Sequence, residues 1–330
     1  MKTLIIAPAW VGDMVMAHTL VQRLATLDQD LCLHVAAPKA TAPLATRMRE
    51  VDEVTILDFD HGELGFTKRW RLGRDFRGQN FEQAYVLPNS WKSALVPYFA
   101  KVPRRVGWRG EARYGLLNNL RRLDQEKYPL MIERYMALAE NTGALPAKPY
   151  PRPHLQVDAD NAARCLDELA LSSERVTVVC PGAEFGVAKK WPAKHYAEVA
   201  NALLAAGRQV WLIGSPKDAA DCAAIAASAA GVRDLSGRTS LLDALDLLSF
   251  AEQVICNDSG LMHMACALNI PTVGIFGSTS AKFTPPLGDR AVAIAQQLSC
   301  QPCFQRVCPL GHTDCLHKLA PSQVLEQLGL

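Results

Sequence analysis

Short, unbroken apolar runs alternate with stretches whose apolar positions recur at helical spacing, from one end of the chain to the other. Runs of that length predict strands buried on both faces, and the stretches between them predict covering helices. In the first half the runs fall at 3–8, 31–38, 53–58 and 83–88, with helices predicted over 13–26 and 41–49. A second series follows at 175–181, 209–214, 252–257, 271–277 and 291–295. Its helices are predicted over 193–206, 217–229, 241–250 and 260–268. A short amphipathic helix over 321–328, opening on Pro321, closes the chain. Strands alternating with helices in this way predict an α/β class of parallel, doubly wound sheets.

The two series are separated by a run with four prolines, Pro146, Pro149, Pro151 and Pro153, which suits neither helix nor central strand and reads as a semi-rigid linker. We therefore expect two domains, 1–150 and 151–330, as a length of 330 residues also favours. Two such domains facing each other would leave a central cleft lined by the carboxyl ends of both sheets, where ligands bind in this class. No short-period repeat or low-complexity tract interrupts the pattern.

Composition narrows the class. Hydrophobic residues are 49% and charged residues 21%, as in ordinary globular proteins, and the net charge of +2 implies no nucleic-acid partner. No apolar run is long enough to span a bilayer, and the N-terminus runs straight into a strand instead of a signal peptide. A cytoplasmic protein is expected. Six cysteines (32, 165, 180, 222, 256, 266) are scattered through apolar segments, as reduced core thiols are. The other four, Cys300, Cys303, Cys308 and Cys315, form a C-x2-C-x4-C-x6-C cluster. Four thiolates can close a tetrahedral zinc site, but no second C-x-x-C pair follows; a loop of reduced thiols and a redox role stay open.

The segment 254–263 carries the densest chemistry: a strand that stops at Asn257-Asp258-Ser259-Gly260 and turns into a helix bearing His263. Such a turn offers free N–H groups and the positive end of a helix dipole to a phosphate. The plainer reading is a junction with a capping serine and a surface histidine. The first loop, Trp10-Val11-Gly12-Asp13, also follows a strand and opens a helix; it lacks the G-x-G-x-x-G fingerprint of dinucleotide folds. Gly12 would let it turn tightly. Asp13 is either an N-cap or a general base able to take a proton from an acceptor hydroxyl. In the loop 181–192, Lys189 and Lys190 could neutralise a diphosphate or simply form a solvated basic face. Two further strand–helix loops, 214–218 and 236–241, occupy the same expected edge, with Ser240 placed to cap.

Taken in order, Trp10-Val11-Gly12-Asp13, Lys189-Lys190-Trp191-Pro192, Gly237-Arg238-Thr239-Ser240-Leu241 and Asn257-Asp258-Ser259-Gly260 with His263 resemble the bacterial ADP-heptose–lipopolysaccharide heptosyltransferases over essentially the whole chain. The opening loop and the cysteine tail are nearer the type II members than the type I members. The resemblance implies a GT-B fold, with an N-terminal acceptor domain and a C-terminal donor domain. It implies that Asp13 is the catalytic base and that Lys189, Thr239, Asp258, Ser259, Gly260 and His263 bind the donor. Ala183-Glu184 departs from the Thr-Thr pair of type I enzymes, and Lys217 and Asp218 lie near the family's ribose-binding acid. The implied reaction is an inverting transfer of heptose from ADP-heptose to the first heptose of the lipopolysaccharide inner core. Neither a cofactor nor a catalytic metal is expected, since no Asp-x-Asp pair stands in the motif-bearing loops to hold a catalytic metal.

Between 60 and 125 thirteen Lys/Arg stand against six Asp/Glu, a local net charge of +7. That excess suits an anionic acceptor, heptosyl-Kdo-lipid A, and the anionic cytoplasmic face of the inner membrane; for single arginines a solvated face is the simpler reading. Trp70, Trp91 and Trp108 would stack on sugar, meet the membrane, or only pack.

Overall fold

The computed structural model describes residues 1–59, 62–140 and 144–330. It divides into two compact units, Met1–Pro153 and His154–Leu330. The first contains β1 (Lys2–Ile6), β2 (Cys32–Pro38), β3 (Glu53–Leu57), β4 (Gln83–Val86), β5 (Arg104–Trp108) and β6 (Asn119–Arg121). All pair in parallel, in the order β3-β2-β1-β4-β5-β6. The second contains β7 (Val176–Cys180), β8 (Gln209–Leu212), β9 (Arg233–Asp234), β10 (Ala251–Asn257), β11 (Thr272–Phe276) and β12 (Ala291–Ala295). Its order is β12-β11-β10-β7-β8-β9, again all parallel. Counted within each unit, both sheets have the 3-2-1-4-5-6 order of the doubly wound dinucleotide-type fold.

The central strands form because their side chains can be buried on both faces. Every residue of β4, β7 and β11 is buried. In the second unit Val179, Val210, Leu212, Ile255 and Ile275 pack with Tyr196, Val199 and Leu203 of the helix Ala193–Ala205. The first unit has the same construction around Leu4, Ile6, Ala36, Ala84 and Val86. Burial of each such aliphatic side chain contributes about 1.5–3 kcal/mol.

Three strands escaped the apolar-run criterion. β5 begins with two arginines, β6 is three residues long and β9 only two. β6 and β9 are edge strands, where short, charged strands are tolerated, and β5 stands next to the edge, paired on both sides. The helix predicted over 41–49 is only Ala42–Ala45. Thr46 turns its hydroxyl back onto the Pro43 carbonyl at 2.7 Å, a local bond that competes with further helix. The helix predicted over 217–229 starts later, as Ala219–Ser228, behind a 3₁₀ turn at Pro216–Asp218.

Each sheet has one point where the chain winds in opposite directions from neighbouring strands, between β1 and β4 and between β7 and β10. The loops leaving the carboxyl ends of those strands carry the candidate chemistry.

Candidate active site

In the second unit, β10 ends in Asn257, which is fully buried and bonded through both its oxygen and its nitrogen. Its Oδ1 accepts from the Trp191 backbone N–H and the Tyr196 hydroxyl, both at 3.0 Å, and its Nδ2 donates to the Pro181 carbonyl at 2.6 Å. One side chain thus pins both ends of the 181–191 loop to the strand beside it. The pinned loop places Lys189, on the 3₁₀ turn Val187–Lys189, against the next residue of β10's exit. Lys189 Nζ donates to Asp258 Oδ2 at 2.6 Å and to the Asp258 carbonyl at 3.2 Å. The hydroxyl of Thr279, beyond β11, donates to the same carboxylate oxygen at 2.6 Å.

Asp258 is therefore a buried carboxylate held by one cation and one hydroxyl, and its presence in the turn is compatible with anion binding only because Lys189 neutralises it. Lys189 is correspondingly not a lone positive charge. It is paired, and its ammonium also stands 5.0 Å from the centre of the Phe185 ring. The second lysine is committed as well: Lys190 reaches Asp221 at 2.7 Å and Asp218 at 3.4 Å. Burial opposes the charged form of Lys190, but the bonds and charges of Asp221 and Asp218 outweigh it and raise its pKa. The picture of a solvated pair of free lysines is thereby corrected.

Ser259 stands at the N-cap of the helix Gly260–Ala267, yet its hydroxyl makes no capping bond. That buried Oγ has no hydrogen-bond partner, and neither does the buried Oγ of Ser278 after β11. Buried hydroxyls without partners are uncommon and mark places where a ligand or water completes the set. His263 is buried one turn into the helix, not on the surface. Desolvation dominates its titration; Asp258 raises its pKa, Lys189 lowers it, and the result is pushed down to about 4. It is thus a neutral imidazole at physiological pH.

Thr239 is half-buried on the turn after β9, a strand three places from β10 in the sheet order. That turn is stitched to the loop after β8 by the Gly237 N–H to Gly214 carbonyl bond at 2.9 Å. Ser240 caps the helix Leu241–Leu248 in a reciprocal box with Asp243, as the sequence suggests. Asp218 has a structural task. Its Oδ2 accepts from the Ser215 amide at 3.0 Å and the Ser215 hydroxyl at 2.7 Å, and its carboxylate occupies the space where a Cβ on Gly182 would lie. Lys217 is exposed and pairs with Glu184.

In the first unit the helix after β1 is Val11–Leu27, with Trp10 at the N-cap and Asp13 third in the helix. Asp13 is therefore not the N-cap residue, and Gly12 is helical and makes no special turn. A carboxylate in the first turn is favoured by the helix dipole. Asp13 is half-buried, and its charge reaches the buried phenol of Tyr135, whose pKa burial raises and Asp13 raises further.

Much of the expected basic face is scaffold. Arg69 is buried, with Nε on the Leu64 carbonyl at 2.7 Å; Arg105 donates to the Leu116 carbonyl at 2.6 Å; Arg121 donates to the Ala137 and Glu140 carbonyls. Arg113, fully buried, holds the loop after β4 through the Pro88 carbonyl at 2.6 Å and also reaches the Trp108 carbonyl. Desolvation lowers the Arg113 pKa to about 10, against a small rise from Glu111. Trp108 is packed, its indole N–H on the Arg134 carbonyl. Trp70 and Trp91 remain exposed, as do Arg71, Arg74, Arg77, Lys101, Arg109 and Arg122. Asp60, one of the counted acids, lies outside the described residues.

The cysteine tail, remote in sequence, lies against the 181–191 loop and the segment after β11. The Ala188 amide donates to the Arg306 carbonyl at 3.1 Å, the Phe304 amide to the Ser278 carbonyl at 2.7 Å, and Gln301 Nε2 to the Gly277 carbonyl at 2.7 Å. Phe185 has Lys189 and the Arg306 guanidinium in contact with its ring. Thr279, Ser278 and Asn257 were not among the predicted site residues. The hydroxyl pair directly after an apolar strand was a usable signal, because it lands at the same sheet edge as Asp258.

These features define a two-unit α/β protein with an anion-ready turn in its second unit, and comparison with known proteins gives the class. Residues 69–314 match the model of glycosyltransferase family 9 (heptosyltransferase). The chain is 43% identical to lipopolysaccharide heptosyltransferase 2 of Escherichia coli K12, covering 100% of this chain and 98% of that one. It is 43% identical to its counterpart in Salmonella typhimurium, covering 99% and 97%. The solved structure of E. coli ADP-heptose LPS heptosyltransferase II superposes with a TM-score of 0.89 at 42% identity, covering 100% and 98%. The chain belongs to glycosyltransferase family 9, the heptosyltransferases, and has the GT-B fold. It is a glycosyltransferase, and both of the 43% identical relatives named above are type 2 enzymes.

Proposed function

We propose that this enzyme transfers L-glycero-D-manno-heptose from ADP-heptose to the first heptose of the lipopolysaccharide inner core, with inversion. The observation that carries the donor half is the Lys189–Asp258–Thr279 cluster beside two unpartnered hydroxyls, Ser259 and Ser278, at a helix start. Phosphate oxygens would supply the missing partners, and the N–H groups at Gly260 and the Lys189 ammonium would stabilise charge developing on the departing ADP. Because Lys189 shares its charge with Asp258, it acts as one end of a fixed dipole, which costs little reorganisation during reaction. His263, neutral, adds no charge and fills the back of the turn. Thr239, on its separate turn, is assigned to the nucleoside end of the donor.

Asp13 is assigned as the general base. It would take the proton of the acceptor hydroxyl as that oxygen attacks the anomeric carbon, through a transition state of oxocarbenium character. The first unit is assigned to the acceptor. The helix Phe66–Phe76 leaves Phe66 and Trp70 exposed beside Arg71 and Arg74. A basic, aromatic face suits an anionic lipid surface. Among the described residues no helix is long and apolar enough to cross a membrane, and peripheral attachment to the cytoplasmic face of the inner membrane is the reading we favour.

The deciding experiment is ADP release from ADP-heptose with two acceptors. Release that requires a lipid A core already carrying one heptose supports this assignment. Release with a heptose-free core would move the enzyme to the first-heptose reaction, and release with neither would overturn the acceptor class.

A further inference from the structure

The four tail cysteines have no task in the transfer reaction. All are free thiols of intermediate exposure. Cys300, Cys303, Cys308 and Cys315 nonetheless line one small cavity of about 20 Å³, together with Ala188, Ser278 and His312. A space of that size holds about one water-sized occupant. The Gly311 amide closes the turn after Cys308 on the Cys308 carbonyl at 3.1 Å.

We propose that Cys300, Cys303, Cys308 and Cys315 bind one structural metal ion as a tetrathiolate, zinc by preference, and that this ion fastens the C-terminal tail to the donor-side loop. Four sulfurs and tetrahedral closure suit zinc, and a closed ligand set makes the ion structural. His312 is the other ligand type at the cavity, but its Nδ1 already accepts the Asp314 amide at 2.9 Å. Each thiol gives up its proton to solvent as the metal–sulfur bond forms, so binding is a substitution with no change of oxidation state. In the structure as it stands, no three His, Cys, Asp or Glu side chains among the described residues are gathered tightly enough to share an ion. The sulfurs must therefore draw inward on binding. The linking segments permit this, because 302–307 and 309–311 are short and largely exposed. Ala188 and Ser278, which wall the cavity, stand next in sequence to Lys189 and Thr279. An ion there would hold the tail against both residues that clamp Asp258, a role that does not depend on which sugar is transferred.

The test is metal content. Full-length protein without a histidine tag, purified without chelator, is measured by inductively coupled plasma mass spectrometry, and about one zinc ion per chain is expected. Iron in place of zinc, lost with the same cysteines, supports the same site. Cys303→Ser with Cys308→Ser should lower zinc affinity by at least about tenfold, while Cys32→Ser, in the other unit, should leave it unchanged. Should the double variant fail to fold, wild-type protein answers alone: a mercurial thiol reagent should release the zinc to a chromogenic chelator. Cobalt-substituted protein should likewise show tetrahedral thiolate absorption. Wild-type protein that stays metal-free after dialysis against zinc, or zinc retained undiminished by a folded double variant, would overturn the proposal.

Discussion

Asp13 and Asp258 each follow a buried parallel strand at a switch point and each stand at the start of a helix, but they are held differently. Asp13 is half-buried in the first turn of a long helix, with its charge felt by the Tyr135 phenol. Asp258 is almost fully buried and takes both the Lys189 ammonium and the Thr279 hydroxyl on one oxygen. The same residue type at the same kind of junction is thus held in opposite ways: a half-buried carboxylate, proposed here as the base, and a buried carboxylate consumed in fixing a lysine. Position on the sheet selects where an acid sits; what packs around it selects what it does.

Three changes would break or sharpen that contrast. The largest effect is expected from Asp13→Asn. It should lower turnover by about 10²–10⁴-fold while leaving ADP-heptose affinity and stability nearly unchanged. Steady-state ADP release with calorimetric donor binding checks it, and undiminished turnover would remove Asp13 from the base role. Asp258→Asn should act through the fold instead. Leaving Lys189 without its counter-charge should cost about 3 kcal/mol, the lower end for breaking a buried pair because the ammonium retains some access to water. Urea unfolding measures this, and a variant as stable as wild type would mean that the pair is not a clamp.

The third change concerns His263, whose pKa falls to about 4 in the folded protein from an ordinary value near 6.5. The unfolded chain binds the proton more readily in that window, so stability is intact above about pH 6.5 and is lost as pH falls toward 4, by up to about 3 kcal/mol. His263→Gln should flatten this part of the stability profile. Unfolding midpoints at several pH values compare the two, and parallel profiles would show that His263 does not carry the term.

The legibility of the chain followed its physical determinants. The central strands and the long helices were readable because double-sided burial demands continuous apolar runs, and β12 was placed at its observed bounds, Ala291–Ala295. β5, β6 and β9 were not, since an outer strand is defined by main-chain pairing with a neighbour that local composition does not announce. The same division runs through the site. Asp258, Ser259 and His263 were visible as a motif at a strand end, whereas Thr279 and Ser278 joined them only because β11 lies beside β10.

By itself the sequence determined the α/β class, the two series of strands and the motifs that assign the family, because periodicity and local spelling are properties of neighbouring residues. Only the tertiary structure decided that Lys189 is paired, that Asn257 binds two ends of one loop, that Arg69, Arg105, Arg113 and Arg121 serve carbonyls instead of solvent, and that the cysteine tail abuts the 181–191 loop. Those are contacts between segments tens of residues apart. Their energies depend on burial and on which partner is nearest, and neither is set until the sheets bring the loops together.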